Sequence, residues 1–269
     1  MISLLKKIYR FFIRRPITKI KSILNKTGKK HKCYVCGNTF HYFSKFAGGT
    51  KNTPEFIKRL DTVGSDIDNF ACLYCSANDR ERHLFMYFDK IKLWEKIPNS
   101  QILHFAPEGN LSKKIKSLNP LKYIKADFYP SQEDIEKIDA TDITFNNETF
   151  DLLICNHVLE HIPNYLKAMS EIYRVLKPNG IAILQTPYST LLSHNFEEKN
   201  INTDEQRLFF YGQNDHCRTF SEKHFFEDLK KVGFTLKILK NSDFFDDKTS
   251  SYFGINNKED LIQVIKPSS

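Results

Sequence analysis

Residues 150–163 read FDLLICNHVLEHIP, and residues 171–187 read EIYRVLKPNGIAILQTP. These two segments restrict the fold more tightly than any other feature of the chain. A short, wholly apolar run, residues 152–155, stands between Asp151 and Asn156. That is the pattern of a buried strand ending in a polar loop. Leu166, Met169, Ile172, Tyr173 and Leu176 follow at helical spacing. Lys177, Pro178, Asn179 and Gly180 then supply a basic last turn and helix-breaking residues. A second buried run, residues 181–184, comes next. Strand, helix and strand within about forty residues make a parallel crossover unit, so the chain is predicted to be α/β.

The 269 residues, 41% of them hydrophobic, suffice for one α/β core and a smaller module. No apolar run reaches the length of a membrane span. Charge is unevenly placed. Residues 1–32 hold eleven Lys or Arg and no acidic residue, while the whole chain is +8, which leaves −3 for residues 33–269. A large nucleic-acid groove across the body is therefore not expected. Within the tail, Leu5, Ile8 and Phe12 fall at helical spacing, as do Ile17, Ile20 and Leu24, with Pro16 between the two sets. A basic amphipathic segment suits an anionic membrane surface, and it equally suits a solvated extension or a helix docked on the body or a partner. Its apolar runs are too short for a secretory signal. A cytoplasmic protein is expected, with peripheral contact at the inner membrane face as one of these alternatives for residues 1–32.

Four of the six cysteines form two pairs, Cys33/Cys36 in CYVCG and Cys72/Cys75 in CLYCS. Two intervening residues let one turn direct both thiolates at a tetrahedral zinc. The 35 residues between the pairs are long for a minimal finger, but loop-closure entropy grows slowly with length. A closed, structural four-cysteine zinc site is the expectation, against free thiols or a redox pair. Cys155 falls in the predicted buried strand, and Cys217 stands alone.

FDLLICNHVLEHI followed by EIYRVLKPNGIAIL resembles the fourth and fifth strands of class I S-adenosylmethionine-dependent methyltransferases. CLYCSANDRERHLFMYFDKIKLW is similar to a subset of that family with an N-terminal zinc ribbon, often associated with glycan synthesis. The resemblance implies a Rossmann-like, doubly wound sheet of about seven strands with a small N-terminal zinc-ribbon module. Residues 1–32 would be the tail, 33–98 the module with a linking helix, and 99–269 the methyltransferase domain. Arg80, Arg82 and His83 would face the cleft and meet an anionic group of substrate or cofactor, unless they form only a charged helix face.

The resemblance also distributes the cofactor contacts. QILHFAPEGN, residues 101–110, is similar to the first strand and its loop, with His104 where an acidic residue is usual. Ala106, Glu108 and Asn110 stand at usual glycine positions. Glu108 would meet the cofactor's ammonium group. Asp127, at the end of KYIKADFYP, would accept the ribose hydroxyls, with Tyr129 walling the adenosine. Asp139 and Ala140 in KIDATDITF, read as the third strand and its loop, would contact the adenine. Asn156 and His157 end the fourth strand beside the methyl group, with Glu160 and His161 beyond. In residues 188–220, expected to cover the active-site mouth, Asp215, His216 and Arg218 would face the acceptor. His216 is the general-base candidate and Arg218 the partner of an anionic group. Ser221 would cap the next helix. FTLKILK and LIQVIK are read as an antiparallel edge pair, with a hairpin in residues 241–260.

The resulting expectation is S-adenosylmethionine-dependent methylation of a sugar or glycan oxygen by a small-molecule or glycan-directed enzyme. Its rivals are an RNA methyltransferase gripping RNA through the zinc module, and a non-catalytic zinc-containing binding protein.

Overall fold

A computed structural model describes residues 25–268. The amphipathic stretch before residue 25, and the membrane contact expected of it, lie outside the described residues. Among the described residues no helix is long and apolar enough to cross a membrane. Residues 25–32 pack on the module: the Asn25 side chain bonds both the amide and the carbonyl of Tyr42, at 2.7 and 2.8 Å.

β1 (His31–Lys32) pairs antiparallel with β2 (Thr39–Phe40), and the first cysteine pair lies in the turn between them. Both pairs use the same turn. Gly37 and Ser76 donate to the carbonyls of Cys33 and Cys72 at 2.9 and 3.1 Å, while the amides of Cys33 and Cys72 reach the carbonyls of Asn38 and Ala77 at 2.9 Å. The turn needs a left-handed residue, Gly37 at φ 74° in one loop and Ser76 at φ 60° in the other. Phe40, Phe43 and Ala77 pack around Cys33 and Cys72 as a small separate core.

The stretch between the pairs is not a plain loop. It forms α1 (Glu55–Arg59) and β3 (Thr62–Val63). After the second pair comes α2 (Asp79–Lys90), opened by a capping box between Asn78 and Glu81. The sheet then builds from β4 (Gln101–Phe105), α3 (Gly109–Ser117), β5 (Lys122–Asp127), β6 (Glu136–Lys137), β7 (Phe150–Cys155), α4 (Tyr165–Val175) and β8 (Leu176–Ile183). The chain continues through β9 (Tyr188–Ser189), α5 (Asp204–Tyr211), β10 (Phe220–Ser221) and α6 (Glu222–Val232). It closes with β11 (Thr235–Leu239), α7 (Asn241–Phe244), α8 (Asp247–Phe253) and β12 (Leu261–Ile265).

Seven strands run in the order β11-β12-β8-β7-β4-β5-β6, with β12 antiparallel to both neighbours and the rest parallel. The expected doubly wound sheet and its antiparallel edge pair are both present. Helices cover both faces, which is why the β7 run is apolar without alternation. Leu153 and Cys155 pack on one side with Met169 and Ile172 of α4 and Phe225 of α6. Leu152 and Ile154 pack on the other with Leu84 and Phe88 of α2 and Leu111 and Ile115 of α3. The linking helix is thus a layer of the sheet domain.

Three local expectations are corrected. Residues 177–180 do not end the helix in a turn. α4 stops at Val175 and β8 begins at once, with a register shift against β7 that takes up Asn179 at φ 62°. The third strand shrinks to Glu136–Lys137, because the Asp139 side chain bonds the Thr141 amide and hydroxyl at 2.8 Å, a local turn that competes with the ladder. Residues 241–260 form α7 and α8 instead of a hairpin. Asp246 caps α8 through the Thr249 amide at 2.7 Å, and Gly254 closes it at φ 63°.

The inter-cysteine stretch joins residues 188–220 past the carboxyl end of β8. β9 pairs with both β3 and β10, and Phe56 of α1 packs against Phe196, Phe209 and Phe210. A capping box at Thr203 and Gln206 starts α5, a helix within the segment expected to cover the site.

Candidate active site

The loops at the carboxyl ends of β4, β5, β6 and β7 gather the residues predicted to hold a cofactor. Glu108 follows β4. It accepts from Nε2 of His104 at 3.0 Å and from Asn156 Nδ2 at the end of β7. Burial pushes the Glu108 carboxyl up, but the bonds from His104 and Asn156 outweigh it and hold it below its ordinary value. His104 is fully buried, and its Nδ1 is met by the Tyr123 hydroxyl at 2.9 Å. Both ring nitrogens are therefore taken. This corrects His104 from a cofactor contact to a residue that positions Glu108. Ala106 holds φ 45°, left-handed where the resemblance expects glycine. Asp127 Oδ1 accepts the Tyr129 amide at 2.8 Å, and its other oxygen has no protein partner among the described residues. Asp139 is exposed past β6 and Ala140 is buried beside it.

Glu81 of α2 was unforeseen here. Its carboxylate accepts from the amides of Asn110 and Leu111 at 2.7 and 3.1 Å, capping α3 from a different helix. The helix that follows the cysteines thereby fixes the start of α3.

His157 holds φ 54°, and its amide donates to Gln185 O at 2.8 Å. Its ring lies buried between two carboxylates, with Nδ1 3.3 Å from Glu160 and Nε2 3.4 Å from Glu259. Burial and the charge of Arg80 lower its pKa, yet Glu160 and Glu259 together raise it. Both glutamates, despite burial, are held down to about 2, with His157 a cause in each. This corrects His157 from a catalytic group to a buried ring held between two carboxylates, its Nε2 without a hydrogen-bond partner among the described residues. Glu259 lies about a hundred residues away in sequence, and no local motif pairs it with His157.

Both carboxylates are depressed in the folded state. Their stabilisation is complete above the unfolded value near 4.5 and is lost as pH falls toward 2. Acid denaturation should steepen across that window. His157→Gln, which strands two buried charges, should cost about 3–5 kcal/mol near neutral pH. Urea melts from pH 7 to pH 3 would check both, and a variant as stable as wild type would refute the buried triad.

Beyond β7, a short helical turn, Leu159–His161, meets the loop before β10. Cys217 donates its amide to Glu160 O at 2.8 Å and its thiol to His161 O at 3.3 Å. His216 Nδ1 donates to Tyr211 O at 3.1 Å, while its Nε2 is buried without a partner among the described residues. Burial lowers its pKa, so the ring is neutral. His161 stands 3.3 Å from Asp215 through Nδ1.

Arg218 is corrected in role. It is fully buried and gives its donors to Glu197 and to the carbonyls of Leu159, Ile162 and Pro163. Nothing is left for an anionic substrate, and Arg218 instead positions the turn that carries Glu160 and His161. Arg82 and His83 are likewise buried in backbone contacts, Arg82 with five carbonyls and His83 with Glu259 O at 3.0 Å. Arg80 is half-buried, has no ion pair among the described residues, and lies close enough to His157 to act on its charge.

The four cysteines come together as expected. Sγ atoms of Cys33 and Cys75 are 3.7 Å apart, those of Cys36 and Cys72 3.8 Å, and all four lie within 4.8 Å of one another. Zinc–sulfur bonds of about 2.3 Å put tetrahedral sulfurs about 3.8 Å apart, so the geometry fits zinc and not disulfides. The amide of Tyr74 and the side-chain amide of Asn38 point at the sulfurs of Cys72 and Cys36 at 3.3 Å, donors that favour thiolates.

A family model described as a methyltransferase domain matches residues 103–237, half of the chain, and the chain belongs to that family. Sterol 24-C-methyltransferase of Candida albicans is 27% identical over 156 residues, 57% of this chain and 35% of that protein. Demethylmenaquinone methyltransferase of Staphylococcus epidermidis is 38% identical over 64 residues, 23% of this chain and 27% of that one. The chain spans about a third of the length of such curated relatives. A solved S-adenosylmethionine dependent methyltransferase from Mesorhizobium loti has a TM-score of 0.49 at 10% identity, covering 67% of this chain and 97% of that one.

Proposed function

We propose that this chain methylates an oxygen of a sugar or glycan precursor from S-adenosylmethionine, with zinc at the four cysteines holding its N-terminal module. One observation carries the cofactor reading. Glu108, Asp127, Asp139 and Asn156 follow successive strands at the sheet's carboxyl edge, the end at which open α/β sheets bind ligands. S-adenosylmethionine, when bound, supplies a methyl group on a sulfonium, and its sulfur–methyl bond breaks as the acceptor attacks. The protein's own part is alignment and exclusion of water. Glu108, set by His104 and Asn156, offers a carboxylate to the cofactor's ammonium group. Asp127 offers its unpartnered oxygen to the ribose. The elements between the cysteine pairs and in residues 188–220 shield the acceptor, which would lie against Glu160, His161 and His216. The sugar acceptor follows from the family resemblance, and the basic tail suits a lipid-linked or membrane-proximal one in the cytoplasm. The negative balance of residues 33–269 disfavours RNA.

Calorimetry with S-adenosylhomocysteine tests the cofactor reading. Wild type should bind, and Asp127→Ala should bind about tenfold or more weakly, the loss expected for hydrogen bonds to a charged group. No binding by folded wild type would return the chain to a non-catalytic role.

A further inference from the structure

We infer that Glu160, His161 and His216 form a second metal site, which takes a first-row divalent cation such as zinc or manganese. Their ligand atoms lie within 4.8 Å of one another. Each imidazole is oriented for the task by a partner on its other nitrogen. Tyr211 O receives His216 Nδ1 at 3.1 Å, and the Asp215 carboxylate stands 3.3 Å from His161 Nδ1. Both Nε2 atoms are then the lone-pair nitrogens, the arrangement that carboxylate or carbonyl partners give to metal-binding histidines. His216 is 4% exposed and its Nε2 meets no partner among the described residues. A buried ring nitrogen so placed calls for a ligand.

Glu160 supplies the charge. Its Oε1 faces His157 and its Oε2 accepts from Thr186 at 3.1 Å, and each oxygen keeps a further lone pair. The two rings stand edge to face at 82°, with centroids 4.7 Å apart. Bonds of about 2.1 Å need nitrogens about 3.4 Å apart, so closure takes a side-chain rotation. His161, with a side chain 32% exposed, has room for it. Two imidazoles and one carboxylate leave a coordination position open, the layout of catalytic sites, whereas the four cysteines make a closed one.

The role of the cation rests on the methyl-transfer reading; its binding does not. An acceptor hydroxyl in the open position would lose its proton to solvent, its O–H bond breaking. The oxygen then forms the bond to the methyl carbon while the sulfur keeps the electron pair of its broken bond.

The test uses the full chain, stripped of metal and titrated with cobalt(II) in the absence of cofactor. Two equivalents should bind. One should show intense sulfur-to-cobalt absorption from the cysteines, and the other only the weak bands of nitrogen and oxygen ligands. H216A and H161Q should each weaken the second equivalent at least tenfold, with circular dichroism unchanged. If H216A unfolds, the half-exposed H161Q decides alone. A wild type with no equivalent of the weak-band kind, or one that survives H161Q, would overturn the site. Failure of S-adenosylhomocysteine to bind would leave this metal count intact, so the two readings fail separately.

Discussion

With zinc held at the four cysteines as proposed, replacing Cys72 with serine is expected to release it and unfold the N-terminal module as a unit. The module's own core holds little beyond Phe40, Phe43 and Ala77 around the cysteines, too little apolar surface to fold a piece of this size. Structural zinc in small modules contributes about 10–16 kcal/mol of apparent binding energy, which is folding energy when the site does not exist in the unfolded chain. The damage should not stay local. β3 and α1 lie between the two cysteine pairs and pack on β9 and α5, while Glu81 of α2 caps α3. Loss of several kcal/mol in a domain this large lowers the melting temperature by about 10 °C or more. The same fall should follow from a strong chelator on wild type. Cys72→Ser should also weaken S-adenosylhomocysteine, because α3 loses the carboxylate that holds its first amides. Calorimetric melting with a zinc-release assay reads all three effects. A metal-free protein that melts with wild type would show that the cysteines are ordinary thiols.

The parts of this molecule that could be read in advance are those written in contiguous residues. The crossover β7–α4–β8 is a local pattern of apolar runs and helical spacing, and a cysteine pair is a local chelate. That Glu108, Asp127, Asp139 and Asn156 would share one edge was legible for a related reason: parallel strands present their ends in chain order, so one polar residue after each strand converges on one edge. What escaped lies far apart in sequence. Glu259 clamps His157, Glu81 caps α3, and Glu197 holds Arg218, each across tens of residues or more with no motif to join them. A charged residue also reads differently by its burial. Arg218 and His157 have the residue types of an active site, but Arg218 has its donors satisfied inside the protein and His157 is buried between two carboxylates. His216 also keeps a ring nitrogen without a hydrogen-bond partner among the described residues, and no carboxylate stands against that nitrogen as Glu259 stands against His157.

Arg82 carries the same distinction to its largest measurable consequence. As a cleft residue meeting an anion, its loss would raise KM and leave the fold alone. The geometry predicts the reverse. The guanidinium is fully buried, lies 3.9 Å over the Phe43 ring, and donates to carbonyls of three segments. Nε reaches Phe253 O at 2.9 Å. Nη1 reaches Phe70 and Ala77 at 3.1 and 2.7 Å, and Nη2 reaches Gly254 at 2.6 Å and also bonds Asn69. It thus ties the stretch between the cysteines, the second cysteine turn and the end of α8 to α2. An ammonium has three donors and no planar fork, so lysine cannot replace this pattern. Arg82→Lys should destabilise by about 3–5 kcal/mol, and Arg82→Met by a similar amount, since each leaves buried carbonyls unpaired. Both should melt about 10 °C below wild type, with S-adenosylhomocysteine affinity in the remaining folded fraction little changed. A lysine variant within 1 kcal/mol of wild type but with a raised acceptor KM would restore Arg82 to the cleft.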